Sequence, residues 1–315
     1  VRSRRQRQMC IRDSIMTDIK KNETIGILAA FFCETLYGLS YIFTKKATQS
    51  ATTFALLGWR FLLGAIVMTL FVLFKVIKVD FRGKSIKELL PVALFSPCIY
   101  YIAETIGIDH TTASESGIFL ASIPIASLIA SSLLLNEKPS KRQVTGIIVT
   151  LIGVLITVLS LGLSSSFSVI GYLFLLIAVI SYALYSVFVS KVKTYTESEV
   201  TYMMLICGGL FFTILAIIEA LSNGSFQTLI SLPFNDRNFL IAILYQAIGC
   251  SILAFFLSNM AIARIGVNRT SSFIGVSTAV SILAGILILN EGFELYQVLG
   301  AIVIMVGVYI ANINK

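Results

Sequence analysis

Apolar runs of about twenty residues follow one another along nearly the whole chain, separated by short polar stretches. That is the length an α-helix needs to cross a hydrocarbon layer. The pattern predicts ten helices, at 25–44, 52–75, 88–108, 112–135, 142–161, 169–190, 199–220, 238–261, 268–289 and 294–312. Short links between them predict antiparallel neighbours in a bundle. The two longest are 76–87 and 221–237. The second carries Asn223-Gly224, Pro233 and Asn235-Asp236 and reads as an irregular surface loop.

The pattern also repeats. Shifting Ser114–Ile156 by 154 positions lays it on Asn268–Ile310 without a gap. Phe119 then meets Phe273, Asn136-Glu137 meets Asn290-Glu291, Gln143-Val144 meets Gln297-Val298, Gly146 meets Gly300 and Gly153 meets Gly307. A weaker match joins the first helices, where Tyr37 meets Tyr182, Phe43 meets Phe188 and Lys46 meets Lys191. The fourth and fifth helices thus match the ninth and tenth, so each unit holds five helices. An odd number turns the second unit over in the membrane, the inverted repeat of many secondary transporters. The chain divides accordingly into 16–161 and 162–315. Residues 1–15, rich in arginine and ahead of Met16, read as an artefact or a disordered tail.

Composition agrees with a multi-pass, all-α integral membrane protein. Hydrophobic residues make up 57% of the 315 and charged ones 13%, about half the charged share of a soluble domain. Mean hydropathy is +0.91. The net charge of +8 sets topology rather than suggesting nucleic acid. With Met16 inside, alternation places fifteen Lys and Arg on the inner side, among them Lys84, Lys141 and Arg269. Only Lys45, Lys46 and Arg237 fall outside. The positive-inside rule therefore puts both termini in the cytoplasm. Five scattered cysteines and one histidine give no metal site and no disulfide framework. No cofactor motif appears.

At these residues the chain resembles the EamA family of the drug/metabolite transporter superfamily. The stretch from Thr35, TLYGLSYIFTKKA, resembles its first-helix pattern, with Tyr37 where the family usually has Trp. Gly58-Trp59-Arg60-Phe61 resembles its second helix. Pro124, Glu137, Gly146 and Gly153 match its Pro…Glu…Gly…Gly run, and Glu291, Gly300 and Gly307 match the second copy, with Thr278 in the proline's place. The resemblance covers Ile25–Ala311. It implies ten helices, cytoplasmic termini and a central cavity lined mainly by helices 1, 3, 4, 6, 8 and 9.

Charges at mid-membrane are expensive, at least ~3 kcal/mol each, and so are candidates for function. Glu34 lies about 14 Å into helix 1, and Arg60 about 12 Å into helix 2 from the other side. Glu104 lies late in helix 3. Glu34, Tyr37, Gly38, Tyr41 and Lys45 share one helical face. Helix 3 adds Pro97, Tyr101 and Glu104, helix 6 Tyr182 and Tyr185, and helix 8 Tyr245, Gln246 and Asn259. These residues predict an aromatic cavity in which Glu34 binds a substrate amine or a coupling proton. The competing reading is structural, an ion pair of Arg60 with Glu34 or Glu104. Arg60 is assigned to structure on that basis. Asn136-Glu137 and Asn290-Glu291 read as helix-end devices, and Ser140 as a helix N-cap. Gly146, Gly153, Gly300 and Gly307 read as packing residues, and Pro124 as a bend within helix 4.

The expected function is a secondary transporter, moving small organic metabolites across the cytoplasmic membrane by alternating access. Export of amino acids or related amphipathic solutes is favoured, in a monomer, with protons as a possible coupling ion. The alternatives are a receptor or scaffold on a transporter fold and, last, a membrane enzyme. No HExxH motif, nucleophile elbow or nucleotide loop supports the enzyme.

Overall fold

The computed structural model describes residues 4–110, 119–160, 168–289 and 295–313. The side chains of residues 4–19, Tyr41 and Lys45 lie outside that description, as does Glu291. Among the described residues every element is helical. In chain order they are α1 (Arg4–Ala47), α2 (Thr53–Leu73), α3 (Ile86–Gly107), α4 (Phe119–Leu134) and α5 (Lys141–Ser160). Then come α6 (Val169–Lys191), α7 (Glu197–Ser222), α8 (Arg237–Ile265), α9 (Val267–Ser272 and Ile274–Leu289) and α10 (Leu295–Asn312). Six of these, α1 to α3 and α6 to α8, are long and apolar enough to cross a membrane.

The exterior has the character expected of a lipid-facing surface. Leu73, Leu133, Phe234, Leu287 and many similar side chains are exposed, whereas a soluble protein rarely shows large contiguous apolar patches. The interior holds polar side chains, among them Glu34, Arg60, Gln246 and Asn259, all buried. This is the arrangement lipid imposes, with polar groups turned inward to find partners.

Local chemistry fixes the helix ends. Thr196 and Glu199 form a capping box at the start of α7. Ser140 accepts from the Gln143 amide at 3.2 Å while the Gln143 side chain accepts from Ser140 N at 2.7 Å, so α5 begins on a second such box. Glu137 sits exposed in the turn ahead of it.

Helix α1 begins at Arg4. Two sequence expectations need correction. The 221–237 link contains a helix, Phe226–Asn235. Its Phe226, Leu229 and Leu232 recur at helical spacing; Leu229 packs near Trp59, whose Nε1 donates to the Leu229 carbonyl at 2.9 Å. Asn223-Gly224 and Asn235-Asp236 mark the ends of that helix, and Pro233 lies within it. Pro124 does not bend a continuous helix. A turn at Ser122 precedes it, and Pro124 occupies the first turn of Ile123–Leu134, where a missing N–H leaves nothing unsatisfied. The sharper break lies in α3, at Ser96 (φ −143°, ψ 122°) within the π-helical turns Leu94–Ile99. A π-helical stretch also occurs in α8, Tyr245–Ala254.

The packing of the two halves is exchanged. Helix α1 packs on α8 and α9, and α6 packs on α3 and α4. Helix α5 packs on α10 through the repeated glycines. A Cβ on Gly146 would stand 2.6 Å from the Gly307 carbonyl oxygen, and one on Gly153 2.8 Å from that of Gly300. Position numbers fall on α10 as they rise on α5, so the two helices run antiparallel. The shift of 154 that carries Gly146 to Gly300 and Gly153 to Gly307 converts each contact into the other. Helices α2 and α7 do the same at a shift of 151. A Cβ on Gly58 would stand 2.8 Å from Ala216 Cβ, and one on Gly209 3.1 Å from Ala65 Cβ.

Candidate functional site

Between the halves lies a cavity of about 590 Å³, a size that suits a small organic molecule. It is lined from α1, α2, α3, α4, α6, α8 and α9. Along α1 it runs from Glu34 through Tyr37, Ser40 and Thr44 to Thr48, about 20 Å at 1.5 Å per residue. Ala51, Thr52 and Thr53 line its end at the α1–α2 turn.

The opposite end is tied shut by polar contacts. The Arg269 guanidinium pairs with the Glu23 carboxylate and donates to Asn312 Oδ1 at 3.2 Å and to its carbonyl at 3.1 Å. Arg264 donates to Asn22 Oδ1 at 3.2 Å. Asn312 donates to Ser272 Oγ at 2.9 Å, and Ser131 to Asn268 Oδ1 at 2.7 Å. Together these join α1, α4, α8, α9 and α10. Glu23 lies about 16 Å along α1 from Glu34.

Among the described residues three charged side chains line the cavity, Glu34, Arg60 and Glu104. Arg60, 7% exposed, donates from Nε to Ser251 Oγ at 2.8 Å and from Nη2 to the Tyr101 hydroxyl at 3.0 Å. Its Cζ also lies 4.8 Å from the Tyr101 ring centroid and 5.1 Å from that of Phe61. Among the described residues no carboxylate forms an ion pair with it. The expected pair with Glu34 or Glu104 is therefore not made, and Arg60 faces the cavity. Depth along separate helices placed these groups at similar heights but could not give the rotation of α2. Glu104 accepts from the Tyr100 hydroxyl at 2.8 Å. Glu34, 6% exposed, faces the same space.

Aromatic rings form one wall. Tyr100 stands edge-on to Tyr101 at 5.1 Å and to Tyr182 at 5.8 Å, and Tyr182 to Tyr185 at 5.6 Å. Of the residues expected in the site, Glu34, Tyr37, Tyr101, Glu104, Tyr182, Tyr185 and Gln246 all line the cavity. Tyr41 lies outside the described side chains. Two others stand behind the wall. Tyr245 stacks on Phe43 at 4.1 Å and donates to the Leu36 carbonyl at 2.9 Å. Asn259 accepts from the Tyr185 hydroxyl at 2.7 Å and donates to Thr201 Oγ1 at 3.1 Å, which fixes the tyrosine. Gln246 donates to Thr44 Oγ1 at 2.8 Å, linking α8 to α1.

Sequence reasoning missed Ser40, Thr44, Tyr100, Phe255, Ser258 and Ser277, and the contribution of α2. Ser40 and Thr44 follow Tyr37 at i+3 and i+7, a signal that was present on the face already singled out. Repeat partners meet in the lining: Tyr37 with Tyr182, Leu120 with Ile274, Ile123 with Ser277. The charges have no such partners. The shifts carry Glu34 to Val179 and Arg60 to Phe211, and all three charged residues belong to the first half.

Comparison with known proteins agrees with this architecture. The model of the EamA-like transporter family matches residues 24–159 and again 169–313. The chain is 33% identical to the uncharacterized transporter YcxC of Bacillus subtilis (strain 168), over 94% of this chain and 95% of that one. It is 26% identical to the uncharacterized transporter YetK of the same organism, over 89% and 84%. A WAT1-related chloroplastic protein of Arabidopsis thaliana is 24% identical, over 91% of this chain and 68% of its own. A solved crystal structure with 17% sequence identity superposes with a TM-score of 0.70, over 91% of this chain and 96% of that one.

Proposed function

The chain belongs to the EamA-like transporter family of the drug/metabolite transporter superfamily, and on that footing we propose that it is a secondary transporter exporting amino acids or related amphipathic solutes. It would sit in the cytoplasmic membrane with ten crossings, built as two inverted five-helix repeats, 16–161 and 162–315, and act as a monomer. The antiparallel α5–α10 and α2–α7 contacts support the inversion, since equivalent helices of parallel repeats would not meet this way. The excess of Lys and Arg on the inner side supports cytoplasmic termini. On that topology the α1–α2 turn would lie outside, and the observed arrangement would correspond to an outward-open state with its cytoplasmic end closed.

The observation that carries this reading is the cavity itself. It lies between the two halves, holds buried carboxylates against a tyrosine wall and, among the described residues, is lined out to the α1–α2 turn but not to the Glu23–Arg269 end. Alternating access would open the Glu23–Arg269 end as the Thr48–Thr53 end closes. Glu34, deep in the cavity, would carry the coupling proton.

The test is uptake into proteoliposomes of labelled amino acids, nucleosides and organic cations, with and without a pH gradient, in the parent and in Glu34→Gln. Gradient-dependent flux that disappears in the variant is expected. Flux that ignores the gradient and survives the substitution would overturn proton coupling. No flux of any solute from a folded, reconstituted protein would overturn the transport reading.

A further inference from the structure

Arg60 is the least explained residue of the cavity. It is buried and lines the cavity, and its partners are neutral: a serine hydroxyl, a tyrosine hydroxyl and two aromatic faces. A guanidinium kept for structure inside a membrane protein is normally repaid by a carboxylate. Here two carboxylates share the cavity, yet neither pairs with it. The packing of α2 on α7 does not require an arginine either, because the equivalent position in the second half is Phe211.

We propose that Arg60 is the anchor for a ligand carboxylate, and that the cavity takes a zwitterionic amino acid with an apolar or aromatic side chain. This rests on the reading of the cavity as a transport site. The guanidinium fork presents paired donors in the geometry a carboxylate accepts. Two of its N–H groups are held by Ser251 and Tyr101, which fixes the plane of the group and leaves donors for a ligand. Tyr101 and Glu104 lie three residues apart on α3, so they are neighbours on one face. The same helix that steadies Arg60 therefore presents the carboxylate that receives the ammonium group. The Tyr100–Tyr182–Tyr185 wall packs the side chain. Glu34 stays free of the ligand's charges and available for a proton. A simple organic cation would leave Arg60 without a counter-charge, and a dianion would face Glu34 and Glu104.

The test uses the full chain in lipid nanodiscs. L-phenylalanine, L-phenylalaninamide and 3-phenylpropionate are titrated by calorimetry and by the emission of Trp59, the single tryptophan of the chain and next to Arg60. The parent is expected to bind phenylalanine at least about tenfold more tightly than either analogue, as loss of one charge-assisted contact implies. Arg60→Lys keeps the charge but loses the fork, so it weakens phenylalanine about tenfold or more and leaves the amide unchanged. Glu104→Gln weakens phenylalanine and leaves 3-phenylpropionate unchanged. Equal binding of all three ligands by the parent, or tightest binding of the amide, overturns the proposal without recourse to any variant. So does a folded Arg60→Lys protein that keeps the full preference. A parent that binds none of the three yet carries another solute in the flux assay sinks this inference and leaves the transport reading standing. Binding of phenylalanine as expected, with no flux of any solute, does the reverse.

Discussion

Phe61 and Phe212 stack on each other where α2 crosses α7, with ring centroids 5.0 Å apart and planes 22° from parallel. A shift of 151 carries one onto the other, together with Gly58 onto Gly209 and Ala65 onto Ala216. Phe61 thus meets its own counterpart, while Gly58 meets Ala216 and Gly209 meets Ala65, the arrangement of positions on and beside a two-fold axis. Both rings are fully buried, and Tyr101 and Phe255 pack around Phe61. Replacing Phe61 by Ala is expected to cost about 3–5 kcal/mol through the hole it leaves. Denaturation of the purified protein in mild detergent, read by helical circular dichroism, measures the loss. A loss below ~1 kcal/mol would show that the crossing is not a packed core.

The glycines of the α5–α10 contact make a graded prediction. A Cβ on Gly153 would meet backbone, the Ile304 nitrogen at 2.6 Å and the Gly300 oxygen at 2.8 Å, so the helices must part. One on Gly249 meets only the Tyr245 ring, at 3.5 Å. Gly153→Ala is expected to destabilise by about 1–3 kcal/mol, as overpacking does. Gly249→Ala should be neutral or slightly stabilising, since alanine favours the helix. Thermal melts of the two variants side by side would reveal the difference, and equal behaviour would count against the close α5–α10 approach.

The closed end can be locked chemically. A Cβ on Gly26 would stand 3.0 Å from Arg264 Cβ and 2.6 Å from Ile265 Cγ2, so the bridge forms as α1 and α8 ease apart toward the ~3.8 Å usual between bridged Cβ atoms. In a background without the native cysteines, Gly26→Cys with Arg264→Cys is expected to lose transport on oxidation and regain it on reduction. Oxidised protein that transports at the parent rate would mean that this end does not open.

Glu199 anchors the loop between α2 and α3. It is 3% exposed. Its oxygens accept from Lys84 Nζ at 2.7 and 2.8 Å, from Asp80 N at 2.9 Å and from Thr196 N at 2.8 Å. Glu199→Ala leaves these donors unsatisfied and is expected to cost about 1–3 kcal/mol. Limited proteolysis should then cut near Arg82 or Lys84, and an unchanged cleavage pattern would rule the anchor out.

Asp236 supplies a pH dependence. A hydrogen bond from Ser50 and the amides of Phe239 and Asn238 hold its carboxyl below the usual range. A carboxylate lowered on folding stabilises the folded state above its unfolded value, and that contribution fades as pH falls through the folded one. Parent and Asp236→Ala should therefore differ in melting temperature near neutral pH and converge in acid below the ordinary carboxylate range. A constant gap across that range would contradict the assignment.

The repeated glycines were legible because both copies keep one unbroken shift of 154 through α5 and α10. The α2–α7 relation was not, because three positions separate its shift from that one and it is carried by scattered small and apolar matches, Gly58, Phe61, Ala65, Ile66 and Leu70, that shared hydrophobicity could also give. Ser40 and Thr44 were overlooked for a different reason. Each bonds its own helix, Ser40 to the Tyr37 carbonyl at 2.6 Å and Thr44 to that of Ser40 at 3.0 Å, and so passes as a neutral helix residue. Tyr245 has the composition of a lining residue, but its rotation turns it onto Phe43. Helical spacing defines a face; only tertiary packing says what that face meets.

The uneven lining has a consequence for how the protein would run. The α2–α7 and α5–α10 contacts pair repeat-related positions, yet among the described lining residues Glu34, Arg60 and Glu104 all ride on one half, while the other offers neutral tyrosines, serines and a glutamine. Were the halves to exchange conformations as proposed, a ligand would meet a differently shaped charged wall on each side of the membrane. Half-saturation would then differ between loading and unloading, so that initial rates favour one direction. Final accumulation would still follow the gradients alone. The molecule would be a kinetic rectifier built on a symmetric scaffold.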